Sequence, residues 1–197
     1  MTDKNDPREI ILKAAAERIV HYGYNKTTMS EIAADCEMSA GNIYRFFPSK
    51  IDIANEMTRR FDAELHQSYE AILGDAARSP SRKLADLFEL RLERTFHIFE
   101  RYPKLMELAE IMRRERPDYS SEERAQERTY ICRILQEGAD AGEFALPYDL
   151  KITADLVQAA LVKFLFPQFW TTEQLESLKI EKARLLTLLL TGLAARS

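Results

Sequence analysis

Three observations predict an all-α fold for this chain. Apolar residues recur at helical spacing from end to end, and no stretch alternates apolar and polar residues as a half-buried strand does. Only six glycines and seven prolines interrupt the 197 residues. Leucine, alanine, glutamate and arginine, which are good helix formers, are abundant. We therefore expect about nine helices and no sheet.

The first two helices carry clear start and stop signals. The first begins at Asp6-Pro7, because proline suits the first turn of a helix, and ends at Gly23, a glycine just past the last turn. The second begins at Thr28, which forms with Glu31 the capping-box pattern of a threonine followed three residues later by an acid. This helix is expected to run to about Cys36.

A tight turn and a short third helix follow. Ser39 is placed to cap this helix, which is expected to end at Phe47-Pro48, and Ser49 to cap a long fourth helix that runs to about Leu73. Glycine and proline positions then divide the remainder of the chain. Further helices are expected over residues 81–101, 104–115, 121–141, 149–166 and 172–195.

The second and third helices, separated by about three residues, have the spacing of a helix-turn-helix. On a helical wheel of the third helix, Ile43, Phe46 and Phe47 share one arc and can anchor in a core. Gly41 and Arg45 point the opposite way. This arrangement predicts that the third helix packs by one face and presents the other.

The outward face of the third helix suits the major groove of DNA. Gly41 permits close approach, and Arg45 can donate two hydrogen bonds to guanine O6 and N7. Asn42 and Tyr44 lie on either side of this face. Asn42 can reach an adenine edge or a phosphate, and Tyr44 can donate its hydroxyl to the phosphate backbone. The alternative is an ordinary solvated face on a surface helix.

Residues 10–55 resemble the DNA-binding head of the TetR/AcrR family of transcriptional regulators. The shared features are Gly23-Tyr24, Thr27-Thr28, Ile32-Ala33 and the string from Ser39 to Lys50, SAGNIYRFFPSK. The resemblance implies a three-helix head joined by a long fourth helix to a larger helical domain. We accordingly assign residues 1–52 to DNA binding and residues 53–197 to ligand binding and dimerisation.

The resemblance also implies roles for individual residues of the head. Thr27 and Thr28 would contact phosphates at the start of the second helix, and Tyr44 and Lys50 would hold phosphates on the far side. Met29 would reach the groove edge. The residues expected at DNA are Thr27, Thr28, Met29, Ser39, Ala40, Gly41, Asn42, Tyr44, Arg45 and Lys50.

Two positions of the head depart from the family pattern. Glu37 occupies the turn where such motifs usually place glycine, which predicts a strained left-handed backbone at a cost of about 1 kcal/mol. Phe46 stands where many relatives carry a tyrosine or a histidine, so no phosphate contact is expected from it.

The last predicted helix is apolar almost all round, which indicates burial on two sides. One side can be the chain's own core and the other a second subunit, and the preceding helix is similarly rich in apolar and small residues. Paired helices would form a four-helix interface that resembles the dimer of the TetR family; a purely intramolecular core is the alternative. The residues expected in the interface are Ile152, Leu156, Ala159, Leu185, Leu189 and Leu193.

The family resemblance further implies a pocket for an unknown small-molecule effector within helices five to eight. Aromatic and methionine residues in this region can line such a pocket, although ordinary core packing is the alternative for each. The candidate contacts are Phe96, His97, Phe99, Met106, Met112, Tyr130, Gln158, Phe164 and Trp170.

Catalytic and metal-binding patterns are missing from the sequence. The histidines, His21, His66 and His97, lie on separate predicted helices without a matched nucleophile or carboxylate pattern, and there is no glycine-rich phosphate loop. The two cysteines, Cys36 and Cys132, have no metal-ligand spacing and are expected to be buried free thiols. We expect no enzyme, no cofactor and no metal.

Charge and hydropathy restrict the partners. Residues 1–60 carry nine basic and nine acidic residues, so the net charge of −4 lies in the remaining chain. An acidic body argues against indiscriminate coating of nucleic acid or of anionic membranes but permits a local DNA contact. The N-terminus lacks a signal-peptide pattern, and the most apolar run, residues 185–190, is too short to span a bilayer, so we expect a cytoplasmic protein.

Two functions are consistent with these features. The first is a dimeric repressor that binds a palindromic operator in double-stranded DNA and is released from it by a small molecule. The second is a helical sensor or adaptor whose main partner is a protein, with the helix-turn-helix repurposed.

Overall fold

The computed structural model describes residues 6–170 and 174–195. Within these ranges the chain forms nine α-helices, and the only bridge pairing of extended backbone is an isolated one between Phe144 and Ala194. The predicted all-α fold is confirmed. The helices are α1 (Pro7–Tyr22), α2 (Met29–Asp35), α3 (Ala40–Ile43), α4 (Lys50–Gly74), α5 (Pro80–Arg101), α6 (Leu105–Glu115), α7 (Pro117–Asp140), α8 (Leu150–Ala160) and α9 (Leu175–Leu193).

The expected ends of α1 and α2 are confirmed. Asp6 accepts a hydrogen bond from the amide of Arg8 ahead of Pro7, and Gly23 ends α1 with a φ of 95°. Thr28 and Glu31 form the full capping box at the start of α2, with the Thr28 amide 2.8 Å from the Glu31 carboxylate. Local side-chain chemistry therefore sets these ends.

Two later helices differ from their predicted lengths. α7 begins at Pro117 rather than at residue 121, because proline occupies the first turn of a helix as readily as it interrupts one. α8 ends at Ala160 rather than at residue 166 and is followed by two single-turn 3₁₀ helices, Val162–Phe164 and Pro167–Phe169. Phe166 is extended, as a residue before proline prefers. Residues 172 and 173 of the predicted last helix lie outside the described residues.

The chain divides into two compact units. The first, called here the head unit, contains the described residues up to Glu64 together with Ile98–Ser120; the second, the regulatory unit, contains Leu65–His97 and the described residues from Ser121 onward. α6 and the start of α7 therefore belong with the helix-turn-helix, although the predicted functional boundary placed them beyond residue 52. That boundary remains a prediction about function.

Each unit has its own apolar core. In the head unit, one cluster is shared by the first four helices and includes Ile11, Ile32, Ile43 and Ile53, with Phe47 from the turns after α3. A second cluster packs α6 against α1 and α4, with Leu108, Ile111 and Met112 beside Ile19 and Ile51. The regulatory unit is built around a larger cluster drawn from α4, α5, α7, α8 and α9. The helix-turn-helix is thus held by an apolar core within the head unit.

Candidate nucleic-acid interface

α2 ends in a left-handed C-terminal cap, a position that glycine usually occupies and that Glu37 occupies here. The Met38 amide donates to the Ala33 carbonyl at 2.8 Å and the Glu37 amide to the Ala34 carbonyl at 3.1 Å, which is the Schellman pattern. Glu37 has a φ of 55° and is the only non-glycine residue with positive φ in the described part of the chain. The predicted left-handed backbone at Glu37 is confirmed.

Replacing Glu37 by glycine is expected to stabilise the protein. The side chain is exposed, so the substitution relieves the left-handed backbone and removes no buried contact. The free energy of unfolding should rise by about 0.5–1 kcal/mol after the extra freedom of unfolded glycine is subtracted. Denaturant titration measures this change in the free energy of unfolding. Ala63→Gly, at an exposed site inside α4, is the control and should lower stability by about 1 kcal/mol; a loss of stability in Glu37→Gly would contradict the strain.

The predicted orientation of the third helix is confirmed. Ile43 is 0% and Phe47 2% exposed in the head core, and Phe46 is partly buried against the same cluster. The regular helix stops at Ile43, earlier than predicted, and continues to Phe47 as tighter turns, with the Phe46 amide donating to the Ile43 carbonyl at 3.0 Å. Ser39 caps it by accepting from the Asn42 amide at 3.2 Å, as expected.

The outward face of α3 and the turn after it is open. Ala40, Gly41 and Arg45 are exposed, Tyr44 is 52% exposed, and Asn42 is half-buried. A side chain added at Gly41 would meet no atom within 4 Å, so nothing in the fold blocks approach to this point. Arg45 therefore projects from a surface on which its guanidinium can meet a base edge.

Two acidic residues of α2 are paired with a cation from α1. Arg18 of α1 forms a two-point ion pair with Asp35 and lies 3.4 Å from Glu31. The Arg18 hydrogen bond holds the pKa of Asp35 below its usual value, and the hydrogen bonds from Thr28 do the same for Glu31. These carboxylates stay ionised, and Arg18 offsets the repulsion that they would exert on phosphates.

Two residues predicted to contact DNA are buried in the free protein. Thr27 is 0% exposed and its hydroxyl donates to the Gly23 carbonyl at 2.9 Å, so that hydroxyl holds a turn rather than reaching a phosphate. Met29 is 8% exposed within the head core, which removes it from the groove edge. Thr28 and Ser30, on either side of Met29, are exposed and remain available.

Lys50, which was predicted to contact a phosphate, makes contacts within the protein. Its ammonium donates to the carbonyls of Tyr24 and Thr27, each at 2.6 Å, and lies 4.0 Å from the centre of the Tyr24 ring. The predicted phosphate contact stays a prediction.

Two basic residues that the sequence reasoning did not select lie in the same unit. Residues 40–47, which comprise α3 and the turns after it, are called here the recognition segment. Arg8 donates to the Phe46 carbonyl at 2.8 Å and lies 4.3 Å from the centre of the Phe47 ring, so its cation lies beside the end of this segment. Lys26 is exposed in the turn before α2. Neither is part of the helix-turn-helix pattern. The only signal in the sequence is that both are basic residues just outside it.

Comparison with known proteins bears directly on this arrangement. Residues 11–57 match the family model of bacterial regulatory proteins of the tetR family. Residues 80–185, more than half of the chain, match the model of the tetracyclin repressor-like C-terminal domain. The chain belongs to the TetR family.

Individual relatives agree with this TetR-family membership. The transcriptional repressor KstR2 of Mycolicibacterium smegmatis is 30% identical over 152 residues, which cover 74% of this chain and 71% of that protein. The FadR repressor of Thermus thermophilus, solved with lauroyl-CoA, superposes with a TM-score of 0.71 at 22% identity over 96% of each chain. FadR of Bacillus halodurans gives 0.71 at 18% identity, covering 99% of this chain and 100% of that one. The protein is a TetR-family, DNA-binding transcriptional repressor, and the adaptor hypothesis is not favoured.

The residues predicted for the effector pocket of this TetR-family protein separate into two groups. The regulatory unit contains Phe96, His97, Tyr130, Gln158, Phe164 and Trp170; the head unit contains Phe99, Met106 and Met112. Met112 is buried in the cluster that joins α6 to α1 and α4, and His97 is exposed. The remaining members of the first group lie in or against the core of the regulatory unit, except for Gln158, which is buried with polar partners.

A buried polar cluster crosses the regulatory unit beside Tyr130. Glu127 is 3% exposed and accepts hydrogen bonds from the Tyr69 hydroxyl at 3.0 Å and the Gln158 amide at 3.1 Å. Burial, followed by the Glu127 charge, raises the pKa of Tyr69 well above its usual value. His66 lies 2.8 Å from Glu123 and its ring is 5.4 Å from that of Tyr130. Polar groups from α4, α7 and α8 thus meet inside this unit.

One surface depression of the regulatory unit lies elsewhere. It is an open groove of about 720 Å³ lined mainly by α7, from Cys132 to Ala141, and by Leu150 at the start of α8. None of the predicted effector contacts lines it. Within the described residues, no helix combines the length and the apolar character needed to cross a membrane.

The predicted dimer residues fall into exposed and internal sets. Ile152 and Leu156 of α8 are 50% and 51% exposed, and Ala159 is exposed beside them. On α9, however, Leu193 is buried in the core and Leu185 and Leu189 pack partly against it. Leu193 is therefore internal, while Leu185 and Leu189 are half-buried. The sequence could not separate them, because an almost uniformly apolar helix does not reveal which side its own core occupies. The exposed apolar residues of α9 are Ile180, at 52%, and Leu188, at 72%.

Proposed function

We propose that the protein acts as a homodimer that represses transcription from a palindromic operator and leaves it when a small molecule binds the regulatory unit. The observation that carries the DNA-binding part is the open Gly41–Arg45 face, which stands on the buried Ile43 and Phe47. An arginine in the well-anchored turns that follow α3 can make the two-point contact with guanine that gives sequence specificity.

The proposed DNA contacts are of two kinds. Arg45 and Asn42 supply base readout, with Gly41 and Ala40 allowing close approach. The proposed phosphate contacts come from Tyr44, Thr28 and Lys26, which are all exposed in the head unit.

The proposed dimer face consists of the outward sides of α8 and α9, defined by Ile152, Leu156, Ile180 and Leu188. All four are at least half exposed in the single chain. Large apolar side chains that stay exposed along two helices are characteristic of a protein interface. In a two-fold dimer, two heads that lie about 34–36 Å apart would each reach one half-site of a palindrome.

The proposed effector site lies in the regulatory unit, where Gln158 and Tyr130 adjoin the buried Glu127 cluster. A buried carboxylate with two neutral donors is a costly feature that apolar packing does not require. The solved structural neighbour from Thermus thermophilus binds lauroyl-CoA. Acyl-CoA thioesters are therefore the first class of effector to test.

Selection of bound duplexes from random DNA, followed by displacement, tests this proposal. We expect a palindromic consensus with a guanine in each half-site, and release of the labelled consensus duplex by at least one acyl-CoA of a chain-length series. Free CoA is the control for the acyl group. A consensus without two-fold symmetry would contradict the dimeric operator, and failure of every acyl-CoA to release the duplex would contradict the proposed effector class alone.

A further inference from the structure

Arg18 lies on α1, and its guanidinium contacts both ends of α2. It donates to the two carboxylate oxygens of Asp35, the last residue of α2, through Nε and, at 3.0 Å, through Nη2. Its Nη1 lies 3.4 Å from a carboxylate oxygen of Glu31, in the first turn of the same helix. Each nitrogen of the guanidinium therefore faces a carboxylate of α2.

The apolar packing of α2 leaves its orientation weakly defined. The helix is seven residues long and buries Met29, Ile32 and Ala33. Apolar burial is non-directional, so it holds such a short helix on the core without fixing its angle. Glu31 and Asp35 are four residues apart and share one side of the helix. A planar guanidinium that meets a carboxylate at two points fixes distance and direction together.

The position of α2 is passed directly to the recognition segment. The Met38 amide donates to the Ala33 carbonyl and the Glu37 amide to the Ala34 carbonyl, so the connecting turn is fastened to the last turn of α2. Ser39, which caps α3, follows at once. Side chains that bind a ligand need supports that hold them within about 0.5 Å. A shift of α2 would therefore misplace the base-reading side chains.

The Glu31 end of this contact leads to the first residue before α2. The Glu31 carboxylate also accepts hydrogen bonds from the amide and the hydroxyl of Thr28, at 2.8 Å each. Thr28 is one of the proposed phosphate contacts. Arg18 thus supports a backbone contact at one end of α2 and the recognition segment at the other.

A purely electrostatic role is the alternative for Arg18. A cation in the head attracts phosphates, and the carboxylates of Asp35 and Glu31 repel them. In that role, removing the charge of Asp35 strengthens DNA binding. If Asp35 is instead needed to hold α2, the same substitution weakens it. The two roles predict opposite signs for one substitution.

We propose that Arg18 is a positioning residue for DNA binding: it holds α2 at both ends, through Asp35 and Glu31, and so sets the recognition segment against the bases. The proposal rests on the proposed mode of base reading, but its first readout needs no DNA.

Amide hydrogen exchange of the free protein is the first measurement. In Arg18→Met and in Asp35→Asn, exchange across residues 32–38 should accelerate at least about threefold, because α2 and the turn after it lose a two-point support. Glu17→Gln is the matched control: it removes a charge from a 70% exposed side chain beside Arg18 and should leave this segment unchanged. Wild-type exchange in both test variants would overturn the proposal.

Affinity for the operator and for a random duplex is the second measurement. In Asp35→Asn, operator affinity should fall at least about fivefold, since base contacts are misplaced, while affinity for the random duplex should change less than about twofold. Glu17→Gln gives the size of a simple charge effect in the head. Unchanged or stronger operator binding by Asp35→Asn would overturn the proposal.

The double variant Arg18→Met with Asp35→Asn separates the two roles further. Two residues that act through one contact are not additive, so the double variant should bind the operator about as weakly as the weaker single variant. Opposite charge effects would cancel instead, and a return to wild-type affinity would overturn the proposal.

Arg18→Lys keeps the charge and removes the two-point geometry, which a lysine ammonium does not reproduce. It should bind the operator at least about threefold more weakly, with faster exchange over residues 32–38. Wild-type affinity and exchange in Arg18→Lys would overturn the proposal, even if Arg18→Met does not fold. Failure of the wild-type protein to bind any operator would count against the proposed function, while the exchange data would still decide whether Arg18 holds α2.

Discussion

Replacing Arg45 by alanine is expected to weaken operator binding by about 1–3 kcal/mol per half-site and to relax the preference at one base pair of each half-site. The side chain is exposed on the open face of the recognition segment, and its removal leaves the buried anchors Ile43 and Phe47 in place. The fold should therefore be unaffected. The loss arises because the two-point contact with guanine O6 and N7 disappears while the phosphate contacts remain.

Competition binding with single-base variants of the operator measures this effect. The wild-type protein should discriminate strongly at the guanine, and Arg45→Ala should discriminate there much less while retaining its preferences elsewhere. Arg82→Ala is the matched control, because it removes the same charge from a 70% exposed side chain in the regulatory unit. An equal loss of affinity on operator and random DNA would show that Arg45 contacts the backbone and not a base.

Leu188→Glu is expected to convert the proposed dimer into monomers and, through this, to abolish tight operator binding. Leu188 is the most exposed large apolar residue of the described chain, at 72%, and lies two turns after Ile180 on the same side of α9. Near a two-fold axis each introduced carboxylate would be buried opposite apolar residues or its own copy. An uncompensated buried charge costs several kcal/mol, which exceeds what a few apolar contacts supply.

Sedimentation equilibrium at micromolar concentration measures the oligomeric state. Leu156→Glu on α8 should have the same effect, since this residue is 51% exposed on the other helix of the proposed face. Ala71→Glu, an exposed site on α4, introduces the same charge away from the face and should remain dimeric. Retention of the dimer by both leucine variants would place the interface elsewhere on the protein.

Local chemistry explains why the head could be predicted from the sequence. The ends of α1 and α2 depend on Asp6, Gly23 and the Thr28–Glu31 capping box, each of which acts within four residues. The inward side of the recognition segment follows from helical spacing. The left-handed backbone at Glu37 was implied by the family pattern, which usually places glycine at this turn position.

Properties that depend on distant parts of the chain could not be predicted in this way. Thr27 and Met29 resemble surface residues of a recognition motif, yet tertiary packing buries both. The carbonyl partners of Lys50 lie 23 and 26 residues earlier in the chain. The packing of α6 against α1 and α4 within the head unit likewise depends on contacts between segments that are far apart in sequence.

The proposed dimer face shows a different limit of prediction from sequence. Six of the nine residues 185–193 of α9 are leucines, so periodicity does not distinguish the side that packs on the core. Only the packed structure separates Leu193, in the core, from Leu188, on the surface. On α8, where polar residues alternate with apolar ones at helical spacing, the exposed positions Ile152 and Leu156 coincide with the predicted ones.

The measurement that tests the central claim most directly is a fluorescence anisotropy titration of the wild-type protein against its selected duplex and a scrambled duplex of the same composition, over a range of salt concentrations. A repressor that reads bases through Arg45 and Asn42 should bind the selected duplex with nanomolar affinity at physiological salt, at least about 1,000-fold tighter than the scrambled one. Both affinities should fall as salt rises. Equal, weak binding to the two duplexes would contradict the account.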